Sequence, residues 1–112
     1  MSLKSRVDYY LDKIDQDKRI SYKLYRDSCY TGIQGKWIKD LSRLGRELKR
    51  VVIVDDQPVS YEFQQTNAIP IKPFDGHKSD SELTDLIGFL RSLRQADDVR
   101  PLLSSEFDLE IC

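Results

Sequence analysis

Two adjacent carboxylates follow a run of branched apolar residues in the stretch VVIVDDQP, residues 51–58. Asp55 and Asp56 repel one another and are costly to remove from water, so a cation or a charged substrate would have to offset that cost. Two acids in a loop after a strand are equally typical of a helix N-cap. The pattern by itself leaves a functional site and a cap open as alternatives.

The segments around these acids include three strand-like patterns. VVIVD is β-branched and too short for an interior helix, which predicts a buried strand. Residues 18–25, KRISYKLY, alternate apolar and polar side chains and predict a second strand. Residues 68–73, AIPIKP, predict a third, which their prolines place at a sheet edge. Ligands of parallel sheets bind outside the carboxyl ends of the strands, where the two acids lie.

Helical periodicity accounts for most of the remaining chain. The predicted helices are residues 5–14, residues 37–45 up to Gly45, residues 79–96, and a short last helix that contains Pro101. Ser79 is the expected N-cap of the third helix, with Glu82 closing a capping box, and its leucine stripe is expected to pack against the sheet. Asp97 or Asp98 is the expected cap of the last helix. Strands alternating with helices predict an α/β sandwich with mainly parallel strands.

Composition excludes several classes of protein. The 112 residues are enough for one domain, and a net charge of −1 gives no overall basic excess for nucleic acid. The basic residues between Lys36 and Arg50 are interpreted as a solvated helix face. Cys29 and Cys112 form no disulfide framework and no zinc-binding pattern. The sequence contains no run of 18 apolar residues, which is the pattern that would predict a membrane span. We expect a nuclear or cytoplasmic protein.

Long phrases of the sequence resemble a known family. WIKDLSRLGRELKRVVIVDDQPVSYEFQQTNAIPIKPF and SDSELTDLIGFLRSLRQADDVRPLL are similar to the C-terminal half of the Fcp/Scp-like small phosphatases, which act on the RNA polymerase II C-terminal domain. KRISYKLYRDSCY resembles a strand of the same family followed by a cysteine. The family belongs to the haloacid-dehalogenase superfamily and includes the Dullard-like proteins. The resemblance covers about residues 7–104.

The resemblance implies a magnesium-dependent protein serine/threonine phosphatase that works through an aspartyl-phosphate. Lys39 in WIKDLS matches the lysine that neutralises the phosphoryl group. Asp55 and Asp56 match the magnesium motif, although close members have Asp-Asn-Ser-Pro where this chain has DDQP. Arg26 in LYRDSC matches a position that can reach the phosphopeptide. Phosphoryl transfer needs such positive groups around a dianion, and magnesium accepts one or two carboxylates.

The family's nucleophile motif, Asp-x-Asp-x-Thr-Leu, is missing from these 112 residues. Asp15 and Asp17 have the right spacing, but they follow a helix and are interpreted as a turn. The second motif, a strand ending in Thr-Ala-Ser, is also missing. We therefore expect residues 1–112 to be the C-terminal half of the phosphatase domain. That half would be a partial Rossmann-like sandwich with a mainly parallel sheet of about three strands, lacking the family's first two, and a frayed tail at residues 105–112.

The missing strands would lie between residues 18–25 and the VVIVD strand in the family's sheet order. Three arrangements are open: the two segments pair directly, two copies of the chain associate around the gap, or a second polypeptide completes the sheet. Two functions are open as well. One is a truncated phosphatase for a phosphoprotein, such as the RNA polymerase II C-terminal domain, which is inactive alone. The other is a non-catalytic module that binds proteins or phosphopeptides.

Overall fold

The chain forms a mixed α/β structure of short elements. The computed structural model describes residues 3–32, 35–74, 76–77 and 79–107. The α-helices in these ranges are α1 (Leu3–Ile14), α2 (Glu82–Leu93) and α3 (Val99–Phe107). The strands are β1 (Tyr30–Thr31), β2 (Trp37–Ile38), β3 (Ile53–Asp55) and β4 (Ala68–Pro70). Turns and 3-10 helices join them.

Strands β3 and β4 run parallel, with Ile53 opposite Ala68 and Asp55 opposite Pro70. The strand predicted from VVIVD is therefore confirmed over its last three residues, and the strand predicted from AIPIKP over its first three. A 3-10 segment, Pro58–Asn67, connects them. Asn67 is almost fully buried, and its side-chain amide donates to the carbonyls of Leu48 at 2.6 Å and Val51 at 2.8 Å. This side chain ties the entry of β3 to the entry of β4.

The core lies on both faces of the β3–β4 pair. Successive side chains of a strand point to opposite faces, so Ala68 and Ile69 enter different clusters. One cluster consists of Leu41, Ile53, Tyr61 and Ala68. The other consists of Ile69 and the helical residues Leu93, Val99 and Leu103. Helices α2 and α3 thus cover one face of the small sheet, and 3-10 turns cover the other.

The helix predicted over residues 37–45 is wrong. Trp37 and Ile38 instead form β2, which pairs antiparallel with β1. Asp40 then caps a 3-10 turn, Leu41–Leu44, by accepting a hydrogen bond from the Ser42 amide at 3.0 Å. Pairing with β1 and the cap at Asp40 together shorten the helical segment to this single turn. Gly45 ends it in the left-handed region at φ 69°, as its position in the sequence predicted.

The strand predicted over residues 18–25 is also wrong. This segment has no regular structure, and Tyr22 is 78% exposed. A strand needs a hydrogen-bonded neighbour, and no described segment pairs with this one. Direct pairing between residues 18–25 and β3 is therefore not the arrangement found. The turn reading of Asp15 is confirmed, because its carboxylate accepts from the amides of Arg19 at 2.9 Å and Ile20 at 3.1 Å.

Helix α2 begins two residues later and ends earlier than the sequence predicted. Ser81, not Ser79, is the N-cap of α2, and the Asp80 carboxylate accepts from the Glu82 amide at 2.9 Å. The helix ends at Leu93, where the Arg50 guanidinium donates to the carbonyls that follow. An interaction between distant parts of the chain, which local sequence does not encode, therefore shortens α2.

Helix α3 confirms one of its two predicted caps. The Asp98 carboxylate accepts from the Arg100 amide at 3.0 Å. The helix continues to Phe107, so the tail predicted to fray from residue 105 is helical through residue 107, and residues 108–112 lie outside the described residues. The leucine stripe of α2 packs only in part, since Leu93 is buried while Leu83 is exposed.

The strands form two separate sheets of two strands each, one antiparallel and one parallel. This differs from a single, mainly parallel sheet of about three strands. This difference arises because, among the described residues, a strand pairs with only one edge of β3. Without a strand on its other edge, β3 cannot be joined to β1 and β2 through a continuous ladder.

Candidate phosphate and metal site

The carboxylate of Asp55 stands at the carboxyl end of β3 and is buried. The branched residues before it form the strand, and the chain then turns, because the Gln57 amide donates to Asp55 Oδ1 at 2.9 Å. The second carboxylate oxygen faces Lys39. Asp55 is therefore held by a strand, a turn and an ion pair, which is the placement expected for a ligand-binding residue at a strand end.

Lys39 reaches Asp55 from the end of β2. Its Nζ donates to Asp55 Oδ2 at 2.6 Å, a short charge-assisted hydrogen bond. The backbone amide of Lys39 donates to the Ser60 carbonyl at 2.8 Å, which anchors β2 to the segment after β3. The Lys39 side chain is 52% exposed although its partner is buried. One end of the ion pair is thus open to a ligand.

The surroundings of Asp55 keep it ionised. Burial acts to raise the pKa of the carboxyl group. The hydrogen bond from Lys39, the Gln57 amide, the charge of Lys39 and the Ser60 hydroxyl together outweigh burial, so the pKa of Asp55 lies below its usual value. Asp55 is accordingly an anion at neutral pH and able to bind a cation.

Sequence reasoning missed Ser60. Its side chain is buried and bonds the Asp55 carboxylate, while its carbonyl accepts from the Lys39 amide. Ser60 therefore contacts both members of the ion pair. The sole signal in the sequence is a small polar residue five positions after an acid at a strand end.

A second missed group supports the backbone beside Lys39. Gln64 accepts from the Leu41 amide at 2.9 Å and donates to the Asp40 carboxylate at 2.9 Å. Asp40 also accepts from the hydroxyl of Ser42 at 2.7 Å. These bonds hold the turn that follows Lys39. Nothing in the sequence pattern connects Gln64 to residues more than twenty positions earlier, so only the fold identifies it.

The other predicted site residues line the same open cleft, which has a volume of about 1160 Å³. Asp56 lines it as an exposed side chain beside the buried Asp55. Arg26 also lines the cleft, where its guanidinium lies over the Trp37 ring at 5.0 Å from the centroid. The structure thus brings Arg26, Lys39, Asp55 and Asp56 to one cleft, although only Lys39 and Asp55 are in direct contact.

The free edge of β3 forms one wall of this cleft. The carbonyl of Asp55 accepts from the Ile71 amide at 3.3 Å, so the backbone groups of Asp55 face β4. Successive residues of a strand direct their backbone N–H and C=O groups to opposite edges. The N–H and C=O groups of Val54 therefore face the cleft. Among the described residues no strand pairs with this edge. The cleft therefore offers backbone donors and acceptors as well as charged side chains.

Comparison with known proteins identifies the family of this arrangement. The family model described as NLI interacting factor-like phosphatase matches residues 1–100. The chain belongs to that family. The resemblance found in its residues to the small phosphatases of the RNA polymerase II C-terminal domain is therefore confirmed, and the candidate site lies inside the matched region.

Known proteins that are named as small phosphatases are similar to this chain in sequence. The CTD small phosphatase-like protein 2 of Dictyostelium discoideum is 48% identical over 99 residues, 88% of this chain and 17% of that relative. The human carboxy-terminal domain RNA polymerase II polypeptide A small phosphatase 1 is 41% identical over 102 residues, 91% of this chain and 39% of the relative. This chain therefore spans well under half the length of these relatives.

One similar protein has a different name. A mitochondrial import inner membrane translocase subunit of Candida glabrata is 48% identical over 88 residues, 77% of this chain and 18% of that relative. Proteins similar to this chain thus include ones named for phosphatase activity and one named for protein import. In the part of this chain that the structure describes, no helix is long and apolar enough to cross a bilayer.

Proposed function

We propose that this chain supplies the phosphate- and magnesium-binding part of a protein serine/threonine phosphatase site. The observation that carries the proposal is the contact of 2.6 Å between Lys39 Nζ and Asp55 Oδ2 at the carboxyl end of β3, beside an open cleft. This contact places a cation, which a phosphoryl group needs, next to a carboxylate, which a metal ion needs. Membership of an NLI interacting factor-like phosphatase family supports the same reading.

Lys39 neutralises the phosphoryl group in this proposal. An ammonium has three N–H donors, and the Asp55 carboxylate takes one of them. The half-exposed position of the side chain leaves the others accessible from the cleft. Asp55 fixes where the ammonium stands, so that little reorganisation is needed when the anion arrives.

Asp55 and Asp56 would hold the magnesium ion. Their chemistry fits Mg²⁺, which binds through one or two carboxylates and keeps several waters. The described residues contain no group of three or more acidic, histidine or cysteine side chains that could form an all-protein metal cage. The bound ion would supply positive charge to the phosphoryl oxygens. The ionised state of Asp55 at neutral pH prepares it for this role.

Arg26 would bind the phosphopeptide in the same cleft. A guanidinium offers five donors in a rigid fork that suits phosphate oxygens. Stacking on Trp37 restricts the side chain and orients it. Arg26 and Lys39 would then bind one phosphate together, with Arg26 contributing affinity and Lys39 the charge beside the reacting group.

The nucleophile motif is absent from the 112 residues, so we propose that they do not turn over phosphopeptides alone. Transfer through an aspartyl-phosphate requires an aspartate held within a few ångströms of Lys39 and the metal. The open edge of β3 is where further strands of a Rossmann-like sheet would pair, provided by self-association or by a second polypeptide. A phosphoprotein such as the RNA polymerase II C-terminal domain, in the nucleus or cytoplasm, is the proposed substrate of the completed site.

The alternative is a non-catalytic module that binds proteins or phosphopeptides. Two observations favour it. The cleft carries binding groups without the nucleophile motif, and a relative at 48% identity is named as a protein-import subunit. This function requires only Arg26, Lys39 and the surrounding cleft. It differs from the first proposal in predicting that magnesium is not needed for binding.

Turnover and binding of a phosphoserine peptide, with and without magnesium, separate these functions. We expect no turnover by residues 1–112 and binding that magnesium strengthens. Lys39→Ala should weaken binding about tenfold or more, the loss typical of a charge-assisted hydrogen bond. Lys36→Ala is the matched control because Lys36 lines the same cleft, and it should change affinity less than about twofold.

Three outcomes would contradict the proposal in different ways. Magnesium-dependent turnover that is lost in both Lys39→Ala and Asp55→Asn would mean that these residues contain a nucleophile. Equal binding by the wild type and Lys39→Ala would remove the lysine from the phosphate site. Binding that is insensitive to magnesium and to Asp55→Asn would favour the non-catalytic module.

A further inference from the structure

The tryptophan of this chain lies in the candidate site rather than in the core. Trp37 is the single tryptophan of the sequence. It is 40% exposed and lines the same cleft as Lys39 and Asp55. An aromatic ring of this size is normally well buried, so its exposure inside a cleft is an unexplained feature of the fold.

Strand geometry places Trp37 beside Lys39. Successive residues of a strand alternate between faces, and the intervening Ile38 is buried at 3% exposure. Trp37 and the residue two positions on, Lys39, therefore share the face that looks into the cleft, in agreement with the cleft lining. Residues two apart on a strand are about 7 Å apart, close enough for one short peptide to contact both.

Positive charge surrounds the indole. Arg26 stacks on the ring, Lys36 precedes it in the chain, and Lys39 follows on the same face. An aromatic ring face bordered by cations complements a ligand that combines an anion with an apolar group. Acidic side chains also line the cleft. The charge of Asp55 is paired with that of Lys39, and the charged group that contacts the indole ring is the Arg26 guanidinium.

We propose that Trp37 is a specificity-determining residue that contacts the side chain adjacent to the phosphoserine and selects phosphopeptides with an apolar residue there. The inference rests on the proposed phosphate site and extends it from the phosphate to its neighbour. Burial of an aliphatic side chain against the indole would add apolar contact, and Arg26 and Lys39 would hold the phosphate. A purely structural Arg26–Trp37 stack would confer no such preference.

Trp37 provides its own probe, because any change in tryptophan fluorescence must come from this ring. Two five-residue phosphoserine peptides, one with leucine and one with glycine on both sides of the phosphoserine, would be titrated into residues 1–112 with magnesium. We expect the leucine peptide to bind about fivefold or more tightly, and to change the fluorescence more. Calorimetry on the same samples reports binding independently of the ring.

Variants at position 37 separate specificity from folding. Trp37→Ala should abolish the preference for leucine, and because the indole also orients Arg26 it should weaken the binding of both peptides, so the readout is the ratio of the two affinities. Trp37→Phe should retain most of the preference, because it preserves an aromatic face. A thermal unfolding curve of each variant shows whether the fold is kept.

The failures of the two proposals give different results. If both phosphopeptides bind by calorimetry with equal affinity, or if Trp37→Ala keeps the preference, the role of Trp37 is wrong and the phosphate site stands. If neither phosphopeptide binds, the phosphate site itself is wrong, and the proposed role of Trp37 is wrong with it.

Discussion

The C-terminal and N-terminal regions of this chain have similar apolar patterning but different packing. In the C-terminal region, Ile69, Leu93 and Leu103 form a buried cluster between β4, α2 and α3, and Leu103 is 0% exposed. In the N-terminal region, α1 and residues 15–25 carry apolar side chains at helical and strand spacing, yet Ile14 is 78% exposed. The C-terminal region buries its apolar side chains against one another, whereas the N-terminal region leaves its apolar side chains exposed to water.

Local patterning therefore suffices for a helix such as α1, whose backbone hydrogen bonds are internal, but not for a strand at residues 18–25, which needs a partner. Helix α1 is held to the rest of the described chain by polar contacts, such as the hydrogen bond from the Tyr25 hydroxyl to Asp8. The Cα radius of gyration, 15.0 Å, exceeds the value of about 13 Å for a compact chain of this length.

Truncation of one leucine in each region should give the largest contrast in stability. Leu103→Ala leaves a cavity among α2, α3 and β4, and should lower the free energy of unfolding by about 2–5 kcal/mol. Leu24→Ala removes an exposed side chain and should change it by less than about 0.5 kcal/mol. Urea unfolding measures both. Equal losses would show that residues 18–25 pack into a core in solution.

A buried polar link should have the next largest effect. Asn67→Ala leaves the carbonyls of Leu48 and Val51 without their donor and should cost about 1–3 kcal/mol. Gln65→Ala is the matched control, since its amide reaches only the nearby Glu62 carbonyl at 3.5 Å. Chemical denaturation of both variants tests this. A loss as large in Gln65→Ala would contradict the assignment of Asn67 as the link between β3 and β4.

The smallest expected effect depends on pH. The hydrogen bonds from the Arg100 side chain and amide lower the pKa of Asp98 to about 2. A carboxyl whose pKa is lowered by folding stabilises the protein above its unfolded pKa of about 3.9, and this contribution is lost as the pH falls through the folded pKa. Asp98→Asn should therefore lower the Tm at pH 7, with a difference that disappears between about pH 4 and pH 2.

Asp15→Asn is the counterpart in the N-terminal region. The amides of Arg19 and Ile20 hold the pKa of Asp15 below its usual value, but the turn they form belongs to no buried cluster. The substitution should leave the Tm unchanged and speed hydrogen exchange at those two amides. A Tm shift in Asp15→Asn comparable to that in Asp98→Asn would show that the two regions unfold as one unit.

The parts of the fold that sequence predicted correctly depend on short-range patterns. A β-branched run gave β3, helical periodicity gave α1 and α2, and an acid before Pro101 gave the cap of α3. The motif residues Lys39, Asp55, Asp56 and Arg26 line one cleft, and their roles in binding stay a prediction. The strand at residues 18–25 was missed because strands require partners, and propensity alone does not supply one.

The sequence by itself determined the family, the strand that ends in Asp55 and the residue types that suit phosphate and magnesium, because these follow from contiguous motifs. Only the tertiary structure decided that Lys39 bonds Asp55, that Ser60 and Gln64 support the pair, and that Trp37 opens into the cleft. Those relations join β2, β3 and the segment between β3 and β4. Hydrogen bonds across such separations depend on how the elements pack, which no local pattern specifies.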